Sequence, residues 1–330
     1  MKKILIITDN LPEQINGVVT TYKNLEACAI LDNYNVVYIT PRDFRYVDCP
    51  GYPEVKLALA KNMAQAITSL APDYIHIATE GPIGLRARVY LTNSGIPYNT
   101  SYHTRFPEGL HKLLKIPPWL TWQYIRWFHK HSGRCLTTTA TVKRELELHG
   151  LNNVVVWTRG VDRSIFNPKP YQSNKIKTLL CVSRVSAEKS LADFCRLEIP
   201  NTRKILVGDG PQLNYLKQHY PDVEFAGYKI GHQLAEYFQR ADVFVFPSTW
   251  DTFGLVMLEA MACGTPVAAY PVPGPQDVVD HGITGYLDVN LTTAVLGALQ
   301  LDRNAVYTGS LRWTWSECWN IFKQNLVSVK

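Results

Sequence analysis

Apolar residues in this chain come in short blocks separated by amphipathic stretches, and the blocks form two series. Residues 4–8, 35–40, 73–78 and 97–101 read as short buried strands, with helix-like segments between them. A second series opens at 177–185 and recurs at 204–208, 223–226, 243–246 and 266–269. Runs of this kind, apolar on successive rather than alternate positions, predict strands covered on both faces. The βαβ alternation predicts a parallel sheet in each half. Between the series lies 159–171, R-G-V-D-R-S-I-F-N-P-K-P-Y, whose Pro and turn formers predict an interdomain linker. Near the end, Trp-Thr-Trp-Ser316 offers Ser316 as an N-cap for a helix over 317–326. The pattern therefore predicts an α/β protein of two Rossmann-like domains, with a site in the cleft between them.

Composition narrows the class. At 330 residues two cores are expected, and 46% apolar with 19% charged residues indicates packed globular domains without low-complexity segments. The seven cysteines are scattered and form no C-x-x-C, which fits a reducing cytoplasm and argues against a zinc site or a disulfide framework. The N-terminal apolar run ends at Asp9, too early for a signal-peptide core, and no stretch is apolar enough to span a bilayer. The net charge of +6 is uneven: residues 1–160 hold 18 Lys and Arg against 12 Asp and Glu, whereas 161–330 hold 16 of each. The first half is thus expected to meet something anionic. Nucleic acid is excluded, because the excess is small and no reader motif accompanies it.

The densest chemistry lies at 246–267, F-P-S-T-W-D-T-F-G-L-V-M-L-E-A-M-A-C-G-T-P-V. Asp251 falls on the loop after the strand 243–246, and Glu259 on a helix predicted over 253–262 that stops at Gly264. Both carboxylates can face the carboxyl ends of the strands, where open α/β sheets bind ligands. They could form the acid and base of a hydrolase. Asp251 could equally cap the helix, and Glu259 could face solvent. The apolar neighbours Leu258, Ala260 and Met261 argue that Glu259 is at least half-buried and needs a partner such as a ribose diol.

Other candidates are spread along the chain. In I-N-G-V-V, Gly17 stands where a loop becomes a helix, so backbone N–H groups could meet a phosphate; a plain turn explains it equally. Arg184 and Lys189 in S-R-V-S-A-E-K could clamp a diphosphate, or be solvated surface cations. His103 in S-Y-H-T-R-F-P could donate to a substrate hydroxyl or support developing charge, with Arg105 as a further anion contact. Gly208 and Gly210 in V-G-D-G-P could pass close to a nucleotide. Position 213 is Leu where a dinucleotide fingerprint needs a third glycine, which argues against a hydride-transferring dehydrogenase.

Taken in order, I-N-G-V-V, S-Y-H-T-R-F-P, W-T-R-G-V-D-R-S-I-F-N-P, S-R-V-S-A-E-K and D-T-F-G-L-V-M-L-E-A resemble motifs of the family 4 retaining glycosyltransferases, over essentially the whole chain. The resemblance implies a GT-B fold: two Rossmann-like domains, a deep interdomain cleft and a C-terminal helix returning to the N-terminal domain. It implies an acceptor domain over 1–165, a donor domain over 166–309 and the returning helix over 310–330. Glu259 would bind the ribose of a nucleotide sugar and Asp251 the sugar hydroxyls. Phe253, Gly254 and Leu255 would contact sugar and phosphate through backbone N–H groups. Arg184 and Lys189 would neutralise the leaving diphosphate, Gly17 and Val18 would approach its β-phosphate, and His103 would contact the donor sugar. Neither a metal nor another cofactor is implied, because cations and helix N-termini supply the charge.

Two departures sharpen the resemblance. Asp251 stands where the wider family has Glu, and Asn16-Gly17 replaces a glycine pair. Both fit the subgroup of sulfolipid synthase-like and bacterial glycolipid-forming enzymes. The implied reaction moves a hexose from a UDP-sugar, or from GDP-mannose, to a membrane lipid such as diacylglycerol. A saccharide acceptor, a GT-B epimerase and a non-catalytic nucleotide-sugar-binding subunit remain as alternatives. The stretch 110–134 mixes three Trp, a Tyr and a Phe with Lys, Arg and His. That mixture suits peripheral contact with an anionic membrane at its inner face. An amphipathic helix burying its Trp residues is the plain alternative.

Overall fold

The structure, a computed structural model, describes residues 1–14, 16–49, 52–103, 115–171 and 175–330. It divides into two compact units, residues 1–159 with 315–330, and residues 160–314. The divisions after 159 and 314 stand beside the 165 and 309 expected from the sequence.

The first unit runs β1 (Lys2–Ile7), α1 (Gly17–Leu31), β2 (Tyr34–Ile39), β3 (Tyr46–Cys49), β4 (Tyr52–Ala58), α2 (Met63–Leu70) and β5 (Tyr74–Ile77). It continues through α3 (Pro82–Asn93), β6 (Asn99–Tyr102), α4 (Pro118–His129), β7 (Cys135–Thr137), α5 (Ala140–Leu148) and β8 (Val154–Val156). Six strands form a parallel sheet in the order β2-β1-β5-β6-β7-β8, and β1 pairs with β2 from Lys2↔Tyr34 to Ile7↔Ile39. Along β1, Ile4 and Ile6 pack with Tyr22 and Leu25 of α1, while Leu5 and Ile7 pack with Ile67 of α2 and Ile83 of α3. Successive side chains point to opposite faces and both faces are buried, so the strand reads as a continuous apolar run.

The second unit runs β9 (Lys177–Val182), α6 (Leu191–Cys195), β10 (Thr202–Val207), α7 (Leu213–His219), β11 (Val223–Gly227), α8 (Gly231–Arg240), β12 (Val243–Phe246) and α9 (Leu255–Ala262). Then come β13 (Val267–Ala269), α10 (Pro275–Val278), β14 (Gly285–Leu287), α11 (Leu291–Ala298) and α12 (Arg303–Ser310). Its parallel order, β11-β10-β9-β12-β13-β14, reverses between β9 and β12. That is a Rossmann order, and the reversal opens a crevice at the strand ends. In the first unit the reversal falls between β1 and β5.

The last helix, α13 (Trp315–Gln324), belongs to the first unit. Phe322 meets Trp157 with ring centroids 5.1 Å apart, and the Trp157 indole N–H donates to the Cys318 carbonyl at 2.9 Å. The helix starts at Trp315, so Ser316 lies inside its first turn and is not the expected cap. The expected linker is also shorter than its Pro-rich run suggested. Phe166 is buried against Phe238, and Arg163 Nη2 donates to the Ser310 carbonyl at 2.6 Å, which ties 160–166 to the second unit.

Close backbone approach accounts for two glycines near the reversal. Gly208 (φ +146°) and Gly210 (φ +157°) lie against the segment after β9. A Cβ at 208 would collide with the Ser183 carbonyl oxygen, and one at 210 would sit 2.5 Å from that of Val185. The Val185 N–H bonds the Asp209 carbonyl at 2.9 Å, locking the two loops together. Gly208→Ala is expected to cost at least roughly 2 kcal/mol of stability, through strain plus collision. Urea denaturation followed by the fluorescence of the second unit checks it; an unchanged midpoint would count against this packing.

Candidate functional site

In the second unit the segments leaving β9 and β12 meet where the strand order reverses. Lys189 ends a short 3-10 turn, Ala187–Lys189, and Ser190 turns the chain back at φ +51°, a backbone region costly for a residue other than glycine. Lys189 Nζ donates to Asp251 Oδ1 at 2.7 Å, both side chains being 23% exposed. The other carboxylate oxygen, Asp251 Oδ2, is buried with no hydrogen-bond partner among the described residues. Gly274, at φ +94°, brings its loop onto the Asp251 carbonyl, where a Cβ would stand 2.7 Å away. Arg184 is exposed on the same loop as Lys189.

α9 begins at Leu255 with Gly254 (φ +83°) as its N-cap residue, so Asp251 precedes the helix and does not cap it. The first-turn N–H groups of such a helix have no acceptor within the helix and form a positive end. Phe253 is buried and meets Trp313 edge-on at 5.6 Å, so a ligand could reach it only through its backbone. α9 starts at Leu255 rather than at the expected 253, which puts Glu259 one turn into it. Glu259 Oε2 is buried without a partner among the described residues, and burial pushes the carboxyl up to about 7. Tyr228, exposed at the end of β11, feels the Glu259 charge. The structure thus gathers Lys189, Asp251, Gly254, Leu255 and Glu259 at one end of one sheet. Among the described residues, Asp251 Oδ2 and Glu259 Oε2 there lack protein donors, which suits hydroxyl groups of a ligand.

The first unit holds the remaining candidates. His103 follows β6, half-buried, with Arg159 Nη2 donating to its Nδ1 at 3.0 Å and Nε2 lying 3.3 Å from the Tyr22 hydroxyl. Burial, then the Arg159 charge, hold this imidazole well below its ordinary range, so it is neutral. Gly17 opens α1 as expected, but the capping residue is Asn16, whose Oδ1 accepts from Val18 N at 3.0 Å and Val19 N at 2.9 Å. The Val18 N–H is therefore already engaged, and a phosphate would meet the turn at Gly17. Asp9, also at the sheet reversal, is occupied: Oδ1 accepts from Ile83 N at 2.7 Å, tying β1 to the start of α3. Arg105 lies outside the described residues.

The tryptophans of 110–134 divide. Trp122 is buried and stacks on His149 at 3.7 Å, whereas Trp119 is 59% exposed and Trp127 is 39% exposed, with Arg88 lying 3.7 Å over its ring. No helix among the described residues is long and apolar enough to cross a membrane. Sequence reading missed Asn16, Tyr22 and Arg159. Asn16 was findable, since Asn before a helix is a standard cap. Tyr22 and Arg159 carry no local signal: one sits inside a helix pattern, the other inside a turn-rich stretch.

Comparison with known proteins fits this arrangement. The chain matches Glycosyltransferase Family 4 over residues 15–165 and Glycosyl transferases group 1 over 176–299. A sulfoquinovosyl transferase of Arabidopsis thaliana is 30% identical over 82% of this chain, which spans 56% of that protein's length. A GDP-mannose-dependent alpha-mannosyltransferase of Corynebacterium glutamicum is 27% identical, with 86% of this chain and 76% of the relative covered. An alpha-monoglucosyldiacylglycerol synthase of Streptococcus pneumoniae is 27% identical, covering 90% and 78%. The solved sucrose-phosphate synthase of Thermosynechococcus elongatus shares the fold, with a TM-score of 0.77 at 20% identity and 98% of each chain covered.

Glu259 gives a test that needs no substrate. Its pKa of about 7 in the fold exceeds the ordinary value of 4.5, so the unfolded chain loses this proton first as pH rises. Stability from this group is therefore lost between about pH 4.5 and 7 and stays lost above. Glu259→Gln should match the wild type in Tm near pH 4 and exceed it at pH 8. An equal Tm at both values would show that the carboxylate is solvated.

Proposed function

The chain belongs to the family 4 glycosyltransferases of GT-B fold, and we propose that it moves a hexose from a nucleotide diphosphate sugar to a lipid hydroxyl with retention of anomeric configuration. The observation that carries this reading is the Lys189–Asp251 contact beside the start of α9, with Glu259 one turn further on. In this reading Glu259 Oε2 accepts from the ribose diol and Asp251 Oδ2 from a sugar hydroxyl, filling both unpaired acceptors. Arg184, Lys189 and the N–H groups opening α9 take up the charge of the departing diphosphate, the role a metal fills elsewhere.

The acceptor oxygen bonds to the anomeric carbon as the carbon–phosphate oxygen bond breaks on the same face. The acceptor proton passes to the leaving phosphate oxygen, so no protein base is required. The neutral His103 supports charge at the reacting centre. The donor is a UDP-sugar or GDP-mannose, the latter supported by the mannosyltransferase relative. A lipid acceptor is supported by the diacylglycerol synthase relative and by exposed Trp119 and Trp127 beside Lys115, Arg126 and Lys130. Aromatic rings next to cations favour the headgroup layer of an anionic bilayer. Such an enzyme works at the inner face of a membrane.

Thermal-shift titration with UDP-, GDP- and ADP-sugars is expected to pick one base, and transfer to diacylglycerol should follow with that donor. Lys189→Met should lower kcat by at least about tenfold, since it removes a cation from the leaving group; a wild-type rate would refute the role. Vesicles containing phosphatidylglycerol should sediment the protein, and Trp119→Ala with Trp127→Ala should weaken that. Indifference to lipid charge would remove the electrostatic part of the membrane reading.

A further inference from the structure

Arg159 is only 3% exposed, yet among the described residues no carboxylate is recorded against it. Burying a guanidinium without a counter-ion is expensive, so its contacts deserve a reason. Nη1 donates to the carbonyls of Trp157 at 2.8 Å and Thr158 at 2.9 Å, and the plane lies 4.3 Å over the Trp157 ring. Nη2 points at His103 Nδ1, 3.0 Å away. Arginine has donors and no acceptors, so Nδ1 must be the bare, accepting nitrogen of that ring.

That single constraint propagates. With Nδ1 accepting, the His103 proton sits on Nε2 and faces the Tyr22 oxygen at 3.3 Å. Tyr22 in turn donates to Ser101 Oγ at 3.2 Å, and His76 Nε2 lies 2.9 Å from the Tyr22 hydroxyl and 2.7 Å from Ser101 Oγ. Four elements supply the groups around the His103 ring: α1 (Tyr22), β5 (His76), β6 (Ser101) and the segment after β8 (Arg159). His129 acts on it electrostatically, while its own partner Glu80 stands 3.3 Å from His129 Nε2.

We propose that Arg159 is the positioning residue for His103, holding its imidazole neutral in the Nε2–H tautomer, with Tyr22, Ser101 and His76 fixing the ring behind it. The proposal rests on the reading that His103 faces the sugar donor. It adds that neither ring nitrogen serves as a base there: Nδ1 receives the guanidinium, and Nε2 carries the proton that faces Tyr22.

The test begins on the unmodified protein. Long-range ¹H–¹⁵N spectra of uniformly labelled protein, with His103 assigned by loss of its signals in His103→Asn, report which nitrogen carries the proton. The expected result is a bare Nδ1 and protonated Nε2 from about pH 8 down to about pH 5.5. A proton on Nδ1, or an imidazolium near pH 6.5, would overturn the proposal. Arg159→Met should then mix the tautomers and move the acidic limb of the kcat profile upward. It should lower kcat by at least about tenfold while donor KM changes less than about threefold. Arg159→Lys should restore much of the tautomer preference. An unaltered tautomer in Arg159→Met sinks the proposal. An altered tautomer with wild-type kcat supports the positioning and refutes the placement of His103 at the donor sugar. If Arg159→Met does not fold, the wild-type spectrum decides alone.

Discussion

An ionisable oxygen buried without a donor is costly, and the second unit keeps two of them close to the same helix start. Asp251 Oδ2 and Glu259 Oε2 have no protein partner among the described residues, although Asp251 Oδ1 holds Lys189. A protein that only had to be stable would gain by replacing Glu259 with a neutral residue, since burial raises its pKa to about 7. Retaining the carboxylate makes sense where a ligand completes its shell, and a vicinal diol supplies two donors at suitable spacing. The proposed donor grip depends on that unmet demand.

The sheet creates the demand. β9 and β12 are neighbours where the strand order reverses, so the segments after them leave towards opposite faces and a crevice opens between them. Across it Lys189, after one strand, reaches Asp251, after the other. Gly208 and Gly210 let the loop after β10 approach the one after β9, and Gly274 lets the loop after β13 approach the one after β12, without side chains in the way. In the first unit the strand β6 has the same kind of importance. Its inward residues alternate between two polar networks: Ser101 with Tyr22 and His76 on one face, Thr100 with His129 on the other. His103 continues the first of these, where Arg159 meets it.

Much of this was legible in the sequence. The long β-branched runs gave the central strands of both sheets, and the apolar flanks of Glu259 signalled a carboxylate turned inward. What escaped has physical causes. β3 and β4 form an antiparallel hairpin with Val47 and Leu57 left exposed, so no buried-strand pattern marks it. β7, β8 and β14 are three residues each, too short for periodicity to register. Gly17 drew notice as a phosphate loop while its neighbour Asn16 capped the helix. The glycines 208 and 210 suggested a nucleotide, and the backbone of 183–185 already explains them. Arg159 was read as part of a linker, because a partner 56 residues away leaves no trace in local sequence.

If Glu259 accepts from the ribose diol as a carboxylate, a carboxyl raised to about 7 must give up its proton when the nucleotide binds. Calorimetric titration of the preferred nucleoside diphosphate near pH 6.5, repeated in buffers of different ionisation enthalpy, counts protons exchanged on binding. Comparison with Glu259→Gln removes the share owed to the phosphate itself. The account predicts that the wild type releases more protons than the variant, by up to about three-quarters of one, the share that a carboxyl of pKa about 7 holds at this pH. Equal proton release together with equal affinity would contradict it.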